Sequence, residues 1–64
     1  MATVNVEEGL KLLREWFGME PKMQRSNRYI YATNILCEEL ELEQQEQLIG
    51  LGWTGVDDYI GYRS

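Results

Sequence analysis

Near the start of the chain apolar residues recur at helical spacing: Val6, Leu10, Leu13 and Phe17, with Leu12 and Trp16 widening the stripe. Glu7, Lys11, Arg14 and Glu15 fall on the opposite side, so the pattern predicts an amphipathic helix over residues 6–17. Asn5 stands at its start with Glu8 three residues on, an Asn-x-x-Glu form of the capping box that satisfies orphaned backbone donors. Glu7 and Lys11 add a favourable i,i+4 pair. Gly9 costs such a helix about 1 kcal/mol, and Gly18 suits the left-handed turn that closes it.

Residues 19–27 read as a connector, because Pro21 cannot continue a helix and polar residues surround it. Ser26 or Asn27 then caps a predicted second helix running to Leu40, with Tyr29, Ala32, Thr33, Leu36 and Leu40 on one face and Ile30 and Cys37 beside it. The run Tyr29-Ile30-Tyr31-Ala32-Thr33 also has strand composition, which leaves a short strand followed by a helical turn as the alternative. A third helix, from Leu42 to Leu51, follows from a run of strong helix formers; Leu48, Ile49 and Leu51 supply its apolar face and Gly52 ends it. Trp53 is expected to fold back on this helix with its indole N–H at the surface. In the tail, Asp57-Asp58 form the turn of a hairpin, or Thr54 caps a last helix; Gly55 and Gly61 favour the hairpin. The predicted fold is mainly α, with three short helices near 6–17, 28–40 and 42–51 and a short C-terminal β-hairpin or turn. The alternative is α+β with a strand at 28–33. No internal repeat is visible.

At 64 residues the chain makes a single small acidic domain, 1–64, with a formal charge of −5. A core this thin is often completed across an interface, so a homo-oligomer is expected. Cys37 is the sole cysteine and histidine is absent. An internal disulfide, the usual zinc ligand sets and a Ser–His or Cys–His nucleophile are thereby excluded, and neither enzymatic activity nor a cofactor is expected. The N-terminus has no basic start and no long apolar run, which predicts a cytoplasmic protein without a membrane segment.

Charge is unevenly distributed. Residues 1–28 sum to +1, whereas residues 29–64 hold seven acids against Arg63 alone and sum to −6. Negative potential repels phosphate, so direct nucleic-acid binding by the C-terminal part is disfavoured. A helix-turn-helix reading of 30–50 fails for the same reason, since the second helix carries Glu43 and Glu46 and no cation. Asp57-Asp58 lacks an enclosing pocket for acid–base work, and the spacing of a calcium loop is missing. The run Gly50-Leu-Gly-Trp-Thr-Gly has no lysine to complete a phosphate loop.

The feature that points outward is the acidic run Glu38, Glu39, Glu41, Glu43 and Glu46, joined by Asp57 and Asp58. Its ordinary reading is a solvated face. Its functional reading is an anionic strip that docks on the basic surface of another protein, with Trp53, Tyr59 and Tyr62 as aromatic anchors. Two other readings stand beside it: a homo-oligomer sequestering a small molecule between tyrosines and Lys22, Arg25 or Arg28, and a DNA-binding regulator using the basic segment 22–28.

The segment Glu43-Gln-Gln-Glu-Gln-Leu-Ile-Gly-Leu-Gly-Trp, followed by an acidic, tyrosine-bearing tail, resembles the C-terminal part of small acidic proteins encoded by phages and mobile elements. The resemblance covers about 20 residues built of common types and specifies no family. It implies an inhibitor of host defence or of a nucleic-acid-binding protein, and it carries no catalytic residue with it.

Overall fold

The computed structural model describes residues 5–63. Its elements are α1 (Val6–Phe17), β1 (Met23–Ser26), β2 (Tyr29–Leu36), a 3-10 turn (Cys37–Glu39), α2 (Leu42–Gly50), β3 (Trp53–Val56) and β4 (Tyr59–Arg63). The strands form one antiparallel sheet in the order β1-β2-β4-β3. This α+β architecture overturns the mainly α expectation with its three helices. Residues 28–40 hold no α-helix: Tyr29–Leu36 is the long central strand, and only a single 3-10 turn follows it.

The reason for the helical signal is visible in β2. Its pairing with β4 shifts register between Tyr31 and Leu36, and this irregularity flips the inward parity of the strand. Ala32 and Ile35 both end up fully buried, three residues apart, and Leu40 follows them into the core from the 3-10 turn. A bulged strand thus imitates the three-to-four spacing of a helix face. Local composition was the better guide, since aromatic and β-branched side chains fit a pleated surface.

α1 starts where the Asn5 side chain accepts a hydrogen bond from the Glu8 N–H (3.3 Å), and its last turn closes with the Gly18 N–H on the Arg14 carbonyl (2.8 Å). Both helices lie over one face of the sheet. The core comprises Leu13 of α1, Ala32 and Ile35 of β2, Leu40, Leu48 of α2, Trp53 of β3 and Ile60 of β4. Trp53 is its largest member, packed edge-on against Tyr62. Its indole N–H donates to the Asn5 carbonyl (3.1 Å), and the Asn5 N–H donates to the Leu51 carbonyl (2.7 Å), so the start of α1 is tied to the end of α2. Trp53 is therefore neither surface-facing nor available as an anchor. Gly9 makes this contact possible: a β-carbon there would clash with the edge of the indole ring.

The connector is clamped rather than loose. Asn34 accepts from the Lys22 N–H (2.9 Å) and donates to the Glu20 carbonyl (3.1 Å), while Thr33 bonds the Lys22 carbonyl through both its N–H and its hydroxyl. Pro21, within the clamped segment, is buried.

A repeat not apparent in the sequence emerges from the topology. Helix and hairpin occur twice, as α1-β1-β2 and α2-β3-β4, with the second strands of the two hairpins paired at the centre of the sheet. The two-residue hairpin loops begin at Asn27 (φ 47°) and Asp57 (φ 55°), and Tyr29-Ile30 and Tyr59-Ile60 open the strands that follow. Asn and Asp tolerate this left-handed conformation better than other non-glycine residues. Tyr31 pairs with Gly61 across the central strands, but the register shift then sets Leu36 opposite Tyr59, so the two halves share a topology and not an exact two-fold. A side chain at Gly61 would collide with the Ile30 carbonyl and Tyr31.

Candidate docking surface

The seven predicted acidic site residues fall into three groups. After β2 the chain makes its 3-10 turn, where the Glu39 carboxylate folds back to accept the Leu36 N–H (3.1 Å). Gln45 reaches from α2 to donate to the carbonyls of Cys37 and Leu40 (3.1 Å each), and the Gln44 side chain accepts the Glu41 N–H (2.9 Å). Glu39 and Glu41 are thus part of the scaffold that fixes the start of α2, although both remain exposed.

The second group is a recess of about 350 Å³ where the loop of the second hairpin meets the 3-10 turn. The Cys37 N–H donates to the Asp58 carbonyl (2.8 Å), and Glu38, Asp57 and Asp58 share the lining. Residues twenty positions apart in sequence are brought together by the end of β2 lying beside the start of β4, where Leu36 pairs with Tyr59. The Cys37 thiol donates to the Tyr59 carbonyl (3.1 Å). Burial, and secondarily the Asp58 charge, push its pKa up, which makes it a poor nucleophile.

The third group is the outer face of α2. Leu48 points inward and is fully buried, so at about 100° per residue Glu46 and Glu43 lie on the opposite side and Ile49 and Leu42 form the outward flank next to Glu46. Leu42 is 71% exposed and Ile49 62%, the two most exposed large apolar side chains among the described residues. Ile49 was expected in the apolar core-facing stripe; it sits on the outside. Sequence reasoning missed Leu42 altogether, yet an aliphatic residue about a third of a turn away from Leu48 on the helical wheel, on the same flank as Ile49, was the available signal.

Aromatic anchors are less prominent than expected. Tyr62 is half-buried on the core side against Trp53, and Tyr59 is half-buried on the open side of the sheet, stacked on Tyr31 with ring centroids 5.5 Å apart. Electrostatically the acids stand alone: among the described residues the ion pair is Arg14 with Glu20 (2.9 Å), and no cation lies within bonding distance of Glu38, Glu39, Glu41, Glu43, Glu46, Asp57 or Asp58.

No protein-family model, curated protein or solved structure matches this chain. No helix among the described residues is long and apolar enough to cross a membrane. Among the same residues no group of three or more Cys, Asp or Glu is placed to hold a metal ion.

Proposed function

We propose that this protein is a non-catalytic binding module, acting as an inhibitor or adaptor, that docks α2 and the neighbouring acidic recess on a basic, partly apolar surface of another protein. The observation that carries this reading is the pairing of Leu42 and Ile49 with Glu43 and Glu46 on one outward helix face. Carboxylates alone would hold any cation, but exposed aliphatic side chains supply burial energy, roughly 25 cal/mol per Å² of apolar area removed from water. A helix bearing both is suited to an apolar groove rimmed by lysine and arginine, where the acids steer encounter and exclude wrong partners. The recess lined by Glu38, Asp57 and Asp58 suits one further cationic side chain at the edge of the contact.

The test is affinity capture from the native source with three variants of the full chain. The unmodified protein retains a partner that both Leu42→Asp/Ile49→Asp and Glu43→Lys/Glu46→Lys lose, whereas Arg28→Glu, on the far end of the sheet, keeps it. Circular dichroism spectra remain unchanged throughout, because all five positions are exposed. Capture of nothing above background, or a partner retained by both α2 variants, removes the proposal.

A further inference from the structure

The end of the sheet remote from the 3-10 turn and its glutamates has the opposite character. None of the eleven acidic residues lies in a strand, while Arg25 and Arg63 do. Arg63 closes β4 directly opposite Tyr29, and Arg28 sits beside Tyr29 in the loop of the first hairpin. Arg25 pairs with Ile30 on the neighbouring row, facing the helix side, and adds only its field. Among the described residues none of these three arginines has a carboxylate partner. The sequence separates Arg63 from the basic stretch by 35 positions; the antiparallel pairing of β2 with β4 brings it alongside.

Arg28 lines a cavity of about 750 Å³, within the roughly 300–1,000 Å³ typical of small-ligand sites, and Arg63 stands outside its wall, beside Tyr29 across the strand pair. Ser26, Asn27, Arg28 and Tyr29 line one side, and Val56 and Asp57 of the second hairpin line the other. Tyr29 is 38% exposed and, unlike Tyr31, Tyr59 and Tyr62, has no ring stacked on it.

We infer that this cavity binds a nucleoside phosphate, with the Arg28 and Arg63 guanidinium groups on the phosphate, the Tyr29 ring against the base, and the Asp57 carboxylate accepting from a base N–H or sugar hydroxyl. Guanidinium forks match phosphate geometry, a tyrosine face stacks any base, and a carboxylate supplies an acceptor at the far wall. Of the acidic residues only Asp57 lines the cavity, and it also lines the recess beside Glu38 and Asp58. The 3-10 turn that carries Glu38 follows Leu36, seven residue steps of β2 from Tyr29 and on the order of 20 Å at strand rise, about twice the screening length at physiological salt. This site shares no residue with the outer face of α2, and Asp57 is the one residue it has in common with the acidic recess.

The probes are adenosine 5′-monophosphate, adenosine, inorganic phosphate and a short 5′-phosphorylated oligothymidylate, titrated into the isotope-labelled protein and read by amide chemical shifts and calorimetry. Adenosine monophosphate or the oligonucleotide shifts the amides of residues 26–29, 56–57 and 63, and adenosine and inorganic phosphate each bind at least about tenfold more weakly. Arg28→Ala, Arg63→Ala and Tyr29→Leu each weaken binding about tenfold, with unchanged spectra of the unliganded fold. Glu43→Lys/Glu46→Lys leaves binding intact, so this result and that for α2 are separable. Preference for the oligonucleotide assigns the phosphate to a single strand, and preference for the mononucleotide assigns it to a free nucleotide. No shift at these residues, or binding that survives loss of both arginines, overturns the inference.

Discussion

Replacing Gly9 by alanine sets two effects of opposite sign against each other. In the interior of α1 the change gains about 1 kcal/mol of helix propensity. Against this, the new β-carbon overlaps the Trp53 indole, whose ring is almost fully buried and whose N–H is held by the Asn5 carbonyl. The ring has no flexible tip to swing aside, so α1 must lift or Trp53 must turn. Overpacking of this kind costs typically 1–3 kcal/mol, and losing the indole hydrogen bond adds about 1 kcal/mol. The net result is destabilisation by about 1–3 kcal/mol, or a fall in Tm of roughly 5–20 °C for a domain of this size. Gly50→Ala in α2 is the control, since nothing lies within 4 Å of the added carbon, and it leaves stability unchanged or slightly higher. Thermal and urea unfolding followed by circular dichroism reads both variants. In a Trp53→Phe background the cost of Gly9→Ala shrinks, because the smaller ring vacates the space, and the double-mutant cycle measures the coupling. A Gly9→Ala protein as stable as the parent would refute the close helix–sheet contact.

The clamp on the connector gives a second measurement: Asn34→Ala removes two hydrogen bonds to the chain between α1 and β1 and lowers stability by about 1–3 kcal/mol, and an unchanged urea midpoint would contradict it. Cys37 gives a third. With its folded pKa raised, the unfolded chain deprotonates first, so its contribution is complete below the ordinary thiol range and is lost as pH rises from about 8.5 through the folded value. The unfolding midpoint therefore falls more steeply above that pH than in Cys37→Ser, and parallel profiles would count against burial of the thiol. Alkylation of Cys37 is slower in the folded protein than in urea, and Asp58→Asn speeds it.

Both helices were legible because their signals are local. Asn5, the apolar stripe of residues 6–17 and Gly18 specify α1 without reference to the rest of the chain, and the Glu/Gln-rich run specifies α2. The hairpin turn at Asp57-Asp58 was also readable, because the alternatives required Gly55 and Gly61 inside a helix. β2 was not, for a tertiary reason: its inward positions are set by a register shift against β4, a strand that begins 23 residues after Leu36 at Tyr59. The acids of the candidate site were all found, but not their division. No local pattern shows that Glu39 caps the turn at Leu36, while Glu38 joins two aspartates twenty positions away. The repeat escaped notice because only Tyr-Ile and the loop position before it correspond between the halves; what the halves share is a path of the backbone.

That path explains how so short a chain comes to hold two surfaces of opposite sign. Along the sequence Asp58 and Arg63 are near neighbours, yet the five residues of β4 carry the chain some 16 Å across the sheet before Arg63 is reached. Antiparallel pairing with β2 then sets the 3-10 turn and its carboxylates at one end and the first hairpin with Arg28 at the other. The separation of charge is thus a property of one strand pair, in which Gly61 faces Tyr31 and the Ile30 carbonyl with no room for a side chain. A side chain there would push β4 away from β2 and dismantle both surfaces together, whereas a change at Glu46 or Arg28 removes one and spares the other.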